Sequence, residues 1–272
     1  MNKIDFCIVI SVDGANPNGD PLNNNMPRIN YDGYGEISDV CLKRKIRNYL
    51  QDSGEQIFVQ SDDRIDDGCH SLKSRVSSFD LYKKAVKNND PEECKKVVCE
   101  KWIDVRTFGQ IFPFKGALES INVRGAVTIS FAKSLDVIDI NQMQITKSTN
   151  LIDSKSKDSS TMAMRYSVSK AAYVAYGSIF PKIAEKTGFI EDDAEKIHQS
   201  LIHLFDNDAA SARPSGSMNV QRVYWWEHKY PIGQYPQIQV FRSLDFQPSK
   251  EYPFFTVTEK PLENLKPDVY IL

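Results

Sequence analysis

The sequence predicts an α+β domain in which a strand-helix-strand order occurs twice. Two patterns favour this class: short β-branched runs of strand length, and segments whose apolar residues recur at helical spacing. A packed core is expected, because 41% of the 272 residues are hydrophobic and 26% are charged, close to the average for globular proteins. Neither an internal repeat nor a linker divides the sequence, so we predict a single domain over residues 1–272.

The chain is expected to begin with a strand and a long loop. Residues 6–12 are mostly β-branched and end at Asp13-Gly14, a pattern that predicts a buried strand. In residues 13–35, 16 of the 23 positions are Asn, Asp, Gly or Pro, which favour turns over regular elements. Both an ordered loop and a mobile one fit this composition.

A cationic helix is predicted next, with Ser38 as its candidate N-cap. Apolar residues recur at the spacing of one buried helical face: they are Leu42, Ile46, Tyr49 and Leu50. Three bases are expected on the solvent-exposed side of this helix: Lys43, Arg44 and Arg47.

The middle of the chain is predicted to contain two insertions around a second core strand. Residues 52–120 form the first insertion, with a strand at residues 56–60 and a helix that begins at Asp90-Pro91. Alternating apolar residues at 121–131 predict the core strand, with a bulge at a central glycine. Residues 133–165 are polar, which predicts an exposed and partly mobile protrusion.

The last third of the chain completes the predicted order of strands and helices. It contains a strand at residues 166–176, a helix that begins at Asp192-Asp193, a strand at residues 220–228 and a further candidate strand at 237–246. This succession is typical of a ferredoxin-like, or RRM-like, sheet with two insertions.

Composition also bears on the cellular compartment. Five cysteines, an odd number at irregular spacing, favour reduced thiols over a disulfide framework. No apolar run approaches the roughly 18 residues of a membrane span, and residues 6–10 are too short for a signal peptide. We expect a cytoplasmic protein without a membrane segment.

The basic residues are clustered although the net charge is −2. Such a net charge argues against general polyanion binding. However, residues 41–50 contain four bases and no acid, and residues 141–182 contain six bases against Asp153 and Asp158. Four more bases would add phosphate-binding capacity if the fold gathers them: Arg28, Arg106, Arg124 and Arg213.

Candidate catalytic groups are few. Asp13 and Asp20 could bind a metal ion or act in acid-base chemistry, but turns that their own side chains stabilise explain them better. Gly-rich phosphate loops, nucleophile elbows and zincin motifs are absent from the sequence. We therefore predict neither a catalytic residue nor a cofactor.

Two further groups have a structural and a functional interpretation. Cys94, Cys99, His198 and His203 are four zinc-type ligands, but residues five apart on a helix point about 140° apart, so structural thiols and surface histidines are expected. In Tyr224-Trp225-Trp226, strand alternation places one tryptophan in the core. The other could stack on a base or pack against protein, and packing is favoured.

Several segments together resemble one family. They are DGANPNGDP at residues 13–21, PRI at 27–29, SDVCLKRKIRNY at 38–49, DVRTFG at 104–109, VRG at 123–125, TM at 161–162, AEKTGF at 184–189 and AASAR at 209–213. With these segments the chain resembles the CRISPR-associated backbone subunit of the type I-C Cascade complex, a member of the RAMP superfamily. The resemblance extends through most of the chain, and it is weakest at residues 112–118, at the serine-rich tip of the protrusion and after Phe246.

The resemblance implies an RRM-like palm, a finger insertion at about residues 52–120 and a thumb β-hairpin at about 133–165. Copies would stack along one CRISPR RNA as a helical homo-oligomer, and each thumb would flip out one base. The remaining bases would pair with the target DNA strand, so specificity for the spacer sequence would be negligible. The large, small and guide-processing Cascade subunits would be further partners.

Carried onto this sequence, the resemblance implies guide-RNA contacts by nine bases: Arg28, Lys43, Arg44, Arg47, Arg106, Arg124, Lys147, Arg165 and Arg213. Met162 of the thumb would act as a wedge, because a flexible thioether can fill the gap left by a displaced base. The alternative for Met162 is ordinary packing within the hairpin. The subunit would be non-catalytic and would need no metal or other cofactor.

Two rival functions stay open. One is a RAMP endoribonuclease that cleaves guide-paired RNA with a loop aspartate, for which Asp13, Asp20 and Asp39 are candidates. The other is a structural protein that oligomerises through protein contacts alone.

Overall fold

The structure is a computed structural model that describes residues 1–112, 121–146 and 162–272. Its strands are β1 Ile4–Ala15, β2 Gly19–Asp20, β3 Met26–Pro27, β4 Tyr34–Ile37, β5 Gly109–Phe112, β6 Ile121–Arg124, β7 Val127–Ile129, β8 Ala132–Val137, β9 Ile140–Thr146, β10 Met162–Ile179, β11 Met218–Glu227, β12 Leu244–Pro248, β13 Phe255–Glu259 and β14 Asp268–Ile271. Its helices are α1 Asp39–Asp52, α2 Leu72–Ser78, α3 Asp80–Lys87, α4 Pro91–Lys101, α5 Ile103–Phe108, α6 Pro181–Thr187, α7 Glu191–Ile202 and α8 Gln237–Phe241, with a short 3-10 helix at Asp62–Arg64.

One large antiparallel sheet organises the chain. Its strand order is β14-β11-β1-β10-β8-β4, and β7 and β9 also pair with β10. The first strand, β1, lies in the middle and pairs with β10 on one side and β11 on the other. Residues 4–12 are buried because both faces of the sheet are covered at this point. The predicted buried first strand is confirmed and extends beyond residues 6–12.

Two helices cover one face of the sheet. The apolar side chains of α1 and α7 share one hydrophobic cluster with Phe6, Ile8 and Ile10 of β1. The predicted N-cap of α1 is confirmed, because the Ser38 hydroxyl accepts a hydrogen bond from the Cys41 N–H. The helix predicted from Asp192 is also confirmed as α7.

The opposite face is covered by the C-terminal part of the chain. Cys7 and Val9 of β1 and Trp226 of β11 pack there against residues from α8, β12 and β13. The further strand predicted at residues 237–246 is wrong in its first half, which is the helix α8. Pro236 precedes this helix, and the strand β12 begins only at Leu244.

The predicted insertion at residues 52–120 has a hydrophobic core of its own. Helices α2–α5 and the β5-β6 pair enclose a cluster that includes Phe58, Trp102 and Phe112. The helix predicted at Asp90-Pro91 is confirmed, since Asp90 caps α4. The strand predicted at residues 56–60 is wrong, because the N–H groups of Phe58 and Val59 donate to the Asp104 carboxylate instead of to a neighbouring strand.

A glycine divides the strand predicted at residues 121–131. The strand β6 pairs with β5 of the insertion, whereas β7 pairs with β10 of the main sheet. The chain passes from one sheet to the other at Gly125, which lies against the backbone of α5. A Cβ atom at Gly125 would lie 2.2 Å from the carbonyl carbon of Phe108, so only glycine fits.

The predicted protrusion at residues 133–165 begins inside the sheet. The strand β8 pairs with β4 and β10, and β9 then pairs with the first half of β10 from Ile140↔Val168 to Thr146↔Met162. We call residues 140–146 and 162–168 the β9-β10 ribbon. Residues 141–146 are exposed on this ribbon. Across the described ranges, no helix has both the length and the apolar character that crossing a membrane requires.

Candidate nucleic-acid interface

The asparagine-rich loop after β1 is ordered by its own side chains. The side-chain oxygen of Asn18 accepts hydrogen bonds from both the N–H and the hydroxyl of Ser38 at 2.9 Å, which attaches the loop to the start of α1. The Asn16 amide donates to the carbonyl of Asn25 at 2.7 Å. Between these contacts, β2 pairs with β3 and brings Arg28 beside the loop. Of the two interpretations of this loop, the structure shows the ordered one.

A turn from the other end of the chain packs against this loop. The N–H of Asn16 donates to the carbonyl of Ala212 at 2.8 Å, and the N–H of Asp13 donates to the carbonyl of Ser217 at 2.8 Å. Arg165, on the β9-β10 ribbon, donates to the carbonyl of Ser211 in the same turn. Loop, turn and ribbon therefore meet at one edge of the sheet.

This meeting point brings together three of the predicted RNA-binding residues. We call Arg28, Arg165 and Arg213 the arginine cluster. Arg28 is only weakly paired, with Nη2 3.5 Å from Asp20 Oδ1, and 40% of its side chain is exposed. Burial raises the pKa of the Cys41 thiol, and the positive charges of Lys45, Arg213 and Arg28 oppose this rise. The bases that act on Cys41 thus come from α1, the turn and the loop.

Asp208 organises the turn that carries Arg213. Its Oδ2 atom accepts hydrogen bonds from Lys45 Nζ and from Arg213 Nε, the latter at 2.7 Å. Lys45 is only 5% exposed. Burial lowers the pKa of Lys45, and the charge of Asp208 acts against that change. This carboxylate therefore holds one buried base and one partly exposed base.

Lys43 and Arg44 lie along α1, and both are partly buried. Lys43 pairs with Asp39 at 2.8 Å, one helical turn earlier. Burial, followed by the positive charge of Arg47, lowers the pKa of Arg44. Within the described ranges Arg44 forms no ion pair, so its charge is not neutralised by contact with an acid.

Arg47 and Arg106 occupy buried ion pairs. Arg47 Nε lies 2.8 Å from Asp104 Oδ2, and Arg106 donates to both carboxylate oxygens of Asp193 at 2.7 and 2.9 Å. The prediction that Arg47 lies on the solvent-exposed side of α1 is wrong. The insertion packs on that side of the helix, and it leaves Arg47 only 8% exposed.

The structure describes two of the remaining predicted contact residues, Arg124 and Met162. Arg124 is exposed at the end of β6, beside the insertion. Met162 is the first residue of β10, where its backbone pairs with Thr146. Lys147 lies outside the described residues.

The aromatic strand β11 does not present a base-stacking surface. Trp225 packs against Phe6 and His198 on one face, and Trp226 is 1% exposed on the other. Packing, the favoured interpretation, therefore holds for both tryptophans. The prediction of a surface position for His198 is wrong, because stacking on Trp225 buries its ring.

The candidate carboxylates and zinc ligands do not converge. Asp20 faces Arg28 and Asp39 pairs with Lys43, whereas Asp13 is exposed at the end of β1. Cys94 and Cys99 belong to the hydrophobic core of the insertion, whereas His198 stacks on Trp225 of β11. Among the residues with described positions, no three His, Cys, Asp or Glu side chains are grouped to hold a metal ion.

Sequence reasoning missed Lys45 and Asp208, although a signal for Lys45 was available. Lys45 lies three residues after Leu42 and four before Tyr49, so helical spacing places it within the apolar face of α1. A base at such a position needs a buried acid as its partner. No local pattern in the sequence identifies Asp208 as that acid.

Comparison with known proteins finds a matching family. The family model of CRISPR-associated protein Cas7 matches residues 2–267. The CRISPR-associated protein Cas7 of Haloferax volcanii is 25% identical over an alignment 257 residues long, which covers 86% of this chain and 73% of that protein.

A solved structure shares the fold. A chain of the CRISPR RNA-guided surveillance complex, pre-nicking, superposes with a TM-score of 0.53 and 14% identity, over 86% of this chain and 80% of that one. A chain of another CRISPR RNA-guided surveillance complex gives a TM-score of 0.46 at 14% identity, over 86% of this chain and 71% of that one. The family match spans nearly the whole sequence, and this chain belongs to the CRISPR-associated protein Cas7 family.

Proposed function

We propose that this chain is a non-catalytic CRISPR RNA-binding subunit that forms the backbone of a Cascade complex of type I-C. Copies of the chain assemble along one guide RNA and present it for pairing with target DNA in antiviral defense. The observation that carries this proposal is the arginine cluster, formed at one edge of the sheet in a member of the Cas7 family.

The arginine cluster suits the backbone of a single-stranded RNA. Its three guanidinium groups come from a loop, a ribbon and a turn that hydrogen-bond to one another. Phosphate contacts of this kind fix position without reading sequence. A few contacts in each subunit are sufficient, because a filament repeats them along the RNA, and a net charge of −2 is compatible with such local binding.

The order of the central elements supports an RRM-like palm. The strands β11, β1, β10 and β7 are adjacent in that order, and α1 and α7 cover the same face. Residues of about 52–120 then correspond to fingers, and residues of about 133–165 to a thumb. The sheet face opposite the helices is closed by α8, β12 and β13, so in this proposal the RNA lies at the edge of the sheet instead of on that face.

The thumb is proposed to act on the bases. The β9-β10 ribbon extends from the arginine cluster and exposes Met143 and Met164, which are 63% and 46% exposed. In this proposal the ribbon, with Met162, Arg165 and Lys147, displaces one base and leaves the others free for pairing. Lys43, Arg44 and Arg124 add weaker contacts, and Arg47 and Arg106 act through the buried pairs that hold the fingers.

The test is purification of the chain with and without ribonuclease, followed by size-exclusion chromatography with dual-wavelength detection and sequencing of any recovered RNA. We expect a large species that contains RNA, gives footprints at a regular repeat and falls apart when the RNA is digested. A filament that survives digestion would indicate assembly through protein contacts alone. A nucleic-acid-free monomer that ignores added CRISPR RNA would contradict the proposal.

A further inference from the structure

The carboxylate of Asp208 has an unusual position for an acid beside an RNA-binding surface. It lies between two bases, and its Oδ2 atom accepts from both Lys45 Nζ and Arg213 Nε. Only 16% of the Asp208 side chain and 5% of the Lys45 side chain are exposed. A buried carboxylate needs a buried positive partner. Lys45 fills that role, and because Asp208 faces two bases, the three side chains together keep a net positive charge.

One side of the Arg213 guanidinium therefore contacts Asp208, and its other side is open to a ligand. Its Nε–H is fixed by Asp208 at 2.7 Å. Within the described ranges neither Nη1 nor Nη2 donates a hydrogen bond to the protein, and 27% of the side chain is exposed. The outer edge of a guanidinium, with its parallel N–H groups, matches two oxygens of a phosphate.

We propose that Asp208 is a positioning residue for RNA binding: it orients Arg213 so that the free edge of the guanidinium faces a backbone phosphate, with Lys45 as its buried charge partner. This inference rests on the proposed RNA-binding function. The carboxylate also fixes the turn whose carbonyls, at Ser211 and Ala212, hold Arg165 and Asn16. Asp208 thus sets the geometry of the turn that connects Arg213 with Arg165 and with the loop of Arg28.

The direction in which one substitution changes the affinity for RNA distinguishes this role from a purely electrostatic effect. Asp208→Asn removes a negative charge from a surface that binds a polyanion, and charge alone predicts tighter RNA binding. Loss of orientation predicts the opposite. We expect Asp208→Asn to weaken RNA binding about three- to tenfold, which lies within the range for the net contribution of one ordinary hydrogen bond.

The experiment measures the dissociation constant of a fluorescently labelled, unstructured single-stranded RNA by anisotropy over a series of salt concentrations. The matched control is Asp206→Asn, two residues earlier in the chain. Asp206 pairs with His203 Nδ1 at 2.7 Å, and 65% of its side chain is exposed, so its loss changes charge without releasing Arg213. The control is expected to bind RNA as tightly as the unaltered chain, or more tightly.

A second variant covers the case in which Asp208→Asn does not fold, as judged by thermal unfolding. Arg213→Lys keeps the positive charge but lacks the planar fork, since an ammonium does not present two parallel N–H groups to the oxygens of a phosphate. It should also weaken binding severalfold, and Asp208→Asn should add no further loss to Arg213→Gln.

An unaltered chain that fails to bind RNA overturns the proposed function and this inference with it. If the unaltered chain binds, equal or tighter binding by Asp208→Asn, or by Arg213→Lys where the first variant is unfolded, overturns this inference alone.

Discussion

Arg47 and Asp104 form a buried ion pair, in which Arg47 Nε lies 2.8 Å from Asp104 Oδ2. The same carboxylate accepts the N–H groups of Phe58 at 2.7 Å and Val59 at 3.1 Å. Arg47 belongs to α1 and Asp104 to α5, so the pair joins the insertion to the helices of the main sheet. Arg106, two residues after Asp104, makes a second such connection, to α7.

Removal of Asp104 should destabilise the whole chain. Asp104→Ala leaves the buried charge of Arg47 and two backbone N–H groups without their acceptor, and we expect the free energy of unfolding to fall by about 3–5 kcal/mol. Urea denaturation followed by circular dichroism measures this change. The control is Asp80→Ala, an exposed acid whose Lys83 partner is one turn away, and it should leave the denaturation midpoint almost unchanged. Equal midpoints for the two variants would contradict the role assigned to Asp104.

The lowered pKa of Asp5 predicts that the fold loses stability in acid. Burial raises the pKa of Asp5, but hydrogen bonds from His228, Ser178 and Lys3 lower it, and together they hold the pKa below its usual value. A carboxyl whose pKa is lower in the folded state stabilises the fold above its unfolded pKa of about 3.9, and that contribution is lost as the pH falls towards the folded value.

Asp5→Asn tests this by denaturation at several pH values between neutral and acidic. The variant should be less stable at neutral pH, and its stability should fall less steeply below about pH 4 than that of the unaltered chain. Asp245→Asn, which changes an exposed acid on β12, should keep the steep fall. If the stability of Asp5→Asn falls below about pH 4 as steeply as that of the unaltered chain, other groups cause the pH dependence.

The salt dependence of RNA binding should show how many phosphate contacts the arginine cluster makes. Substitution of Arg28, Arg165 or Arg213 by Gln removes one proposed phosphate contact, and each should reduce the slope of log K against log salt by about 0.7 on single-stranded RNA. Affinity titrations at four or more salt concentrations measure the slope. Lys182→Gln, on α6 with 83% of its side chain exposed, is the control and should keep it. Variants of the cluster with an unchanged slope would place the RNA elsewhere.

Local sequence patterns were sufficient for the first strand of the main sheet and for three helices. A β-branched run predicted β1, the candidate cap Ser38 predicted the start of α1, the proline in Asp90-Pro91 predicted the start of α4, and apolar spacing predicted α7. Each of these signals lies within a few residues of the element it predicts. The strand predicted at residues 56–60 failed because a carboxylate more than 40 residues later takes the backbone N–H groups there.

The site was predictable only in part, because distant segments build it. Basic character at Arg28, Arg165 and Arg213 was visible in the sequence, but their meeting depends on backbone contacts such as Asn16 with Ala212. Helical spacing identifies the side of α1 that faces its own sheet. It gives no information about a second element on the opposite side, and this is why Arg47 was expected in solvent.

The three candidate aspartates, Asp13, Asp20 and Asp39, should not support RNA cleavage. Asp20 Oδ1 lies 3.5 Å from Arg28 and Asp39 Oδ2 lies 2.8 Å from Lys43, so each carboxylate faces a base instead of a second acid. We expect no cutting of a complementary RNA bound to the guide complex, with Mg²⁺ or Mn²⁺ present, and no difference between the unaltered chain and Asp13→Asn, Asp20→Asn or Asp39→Asn. Gel analysis of an end-labelled target measures this. Cleavage that one of these substitutions abolishes, while guide binding persists, would establish the endoribonuclease function and exclude a purely architectural subunit.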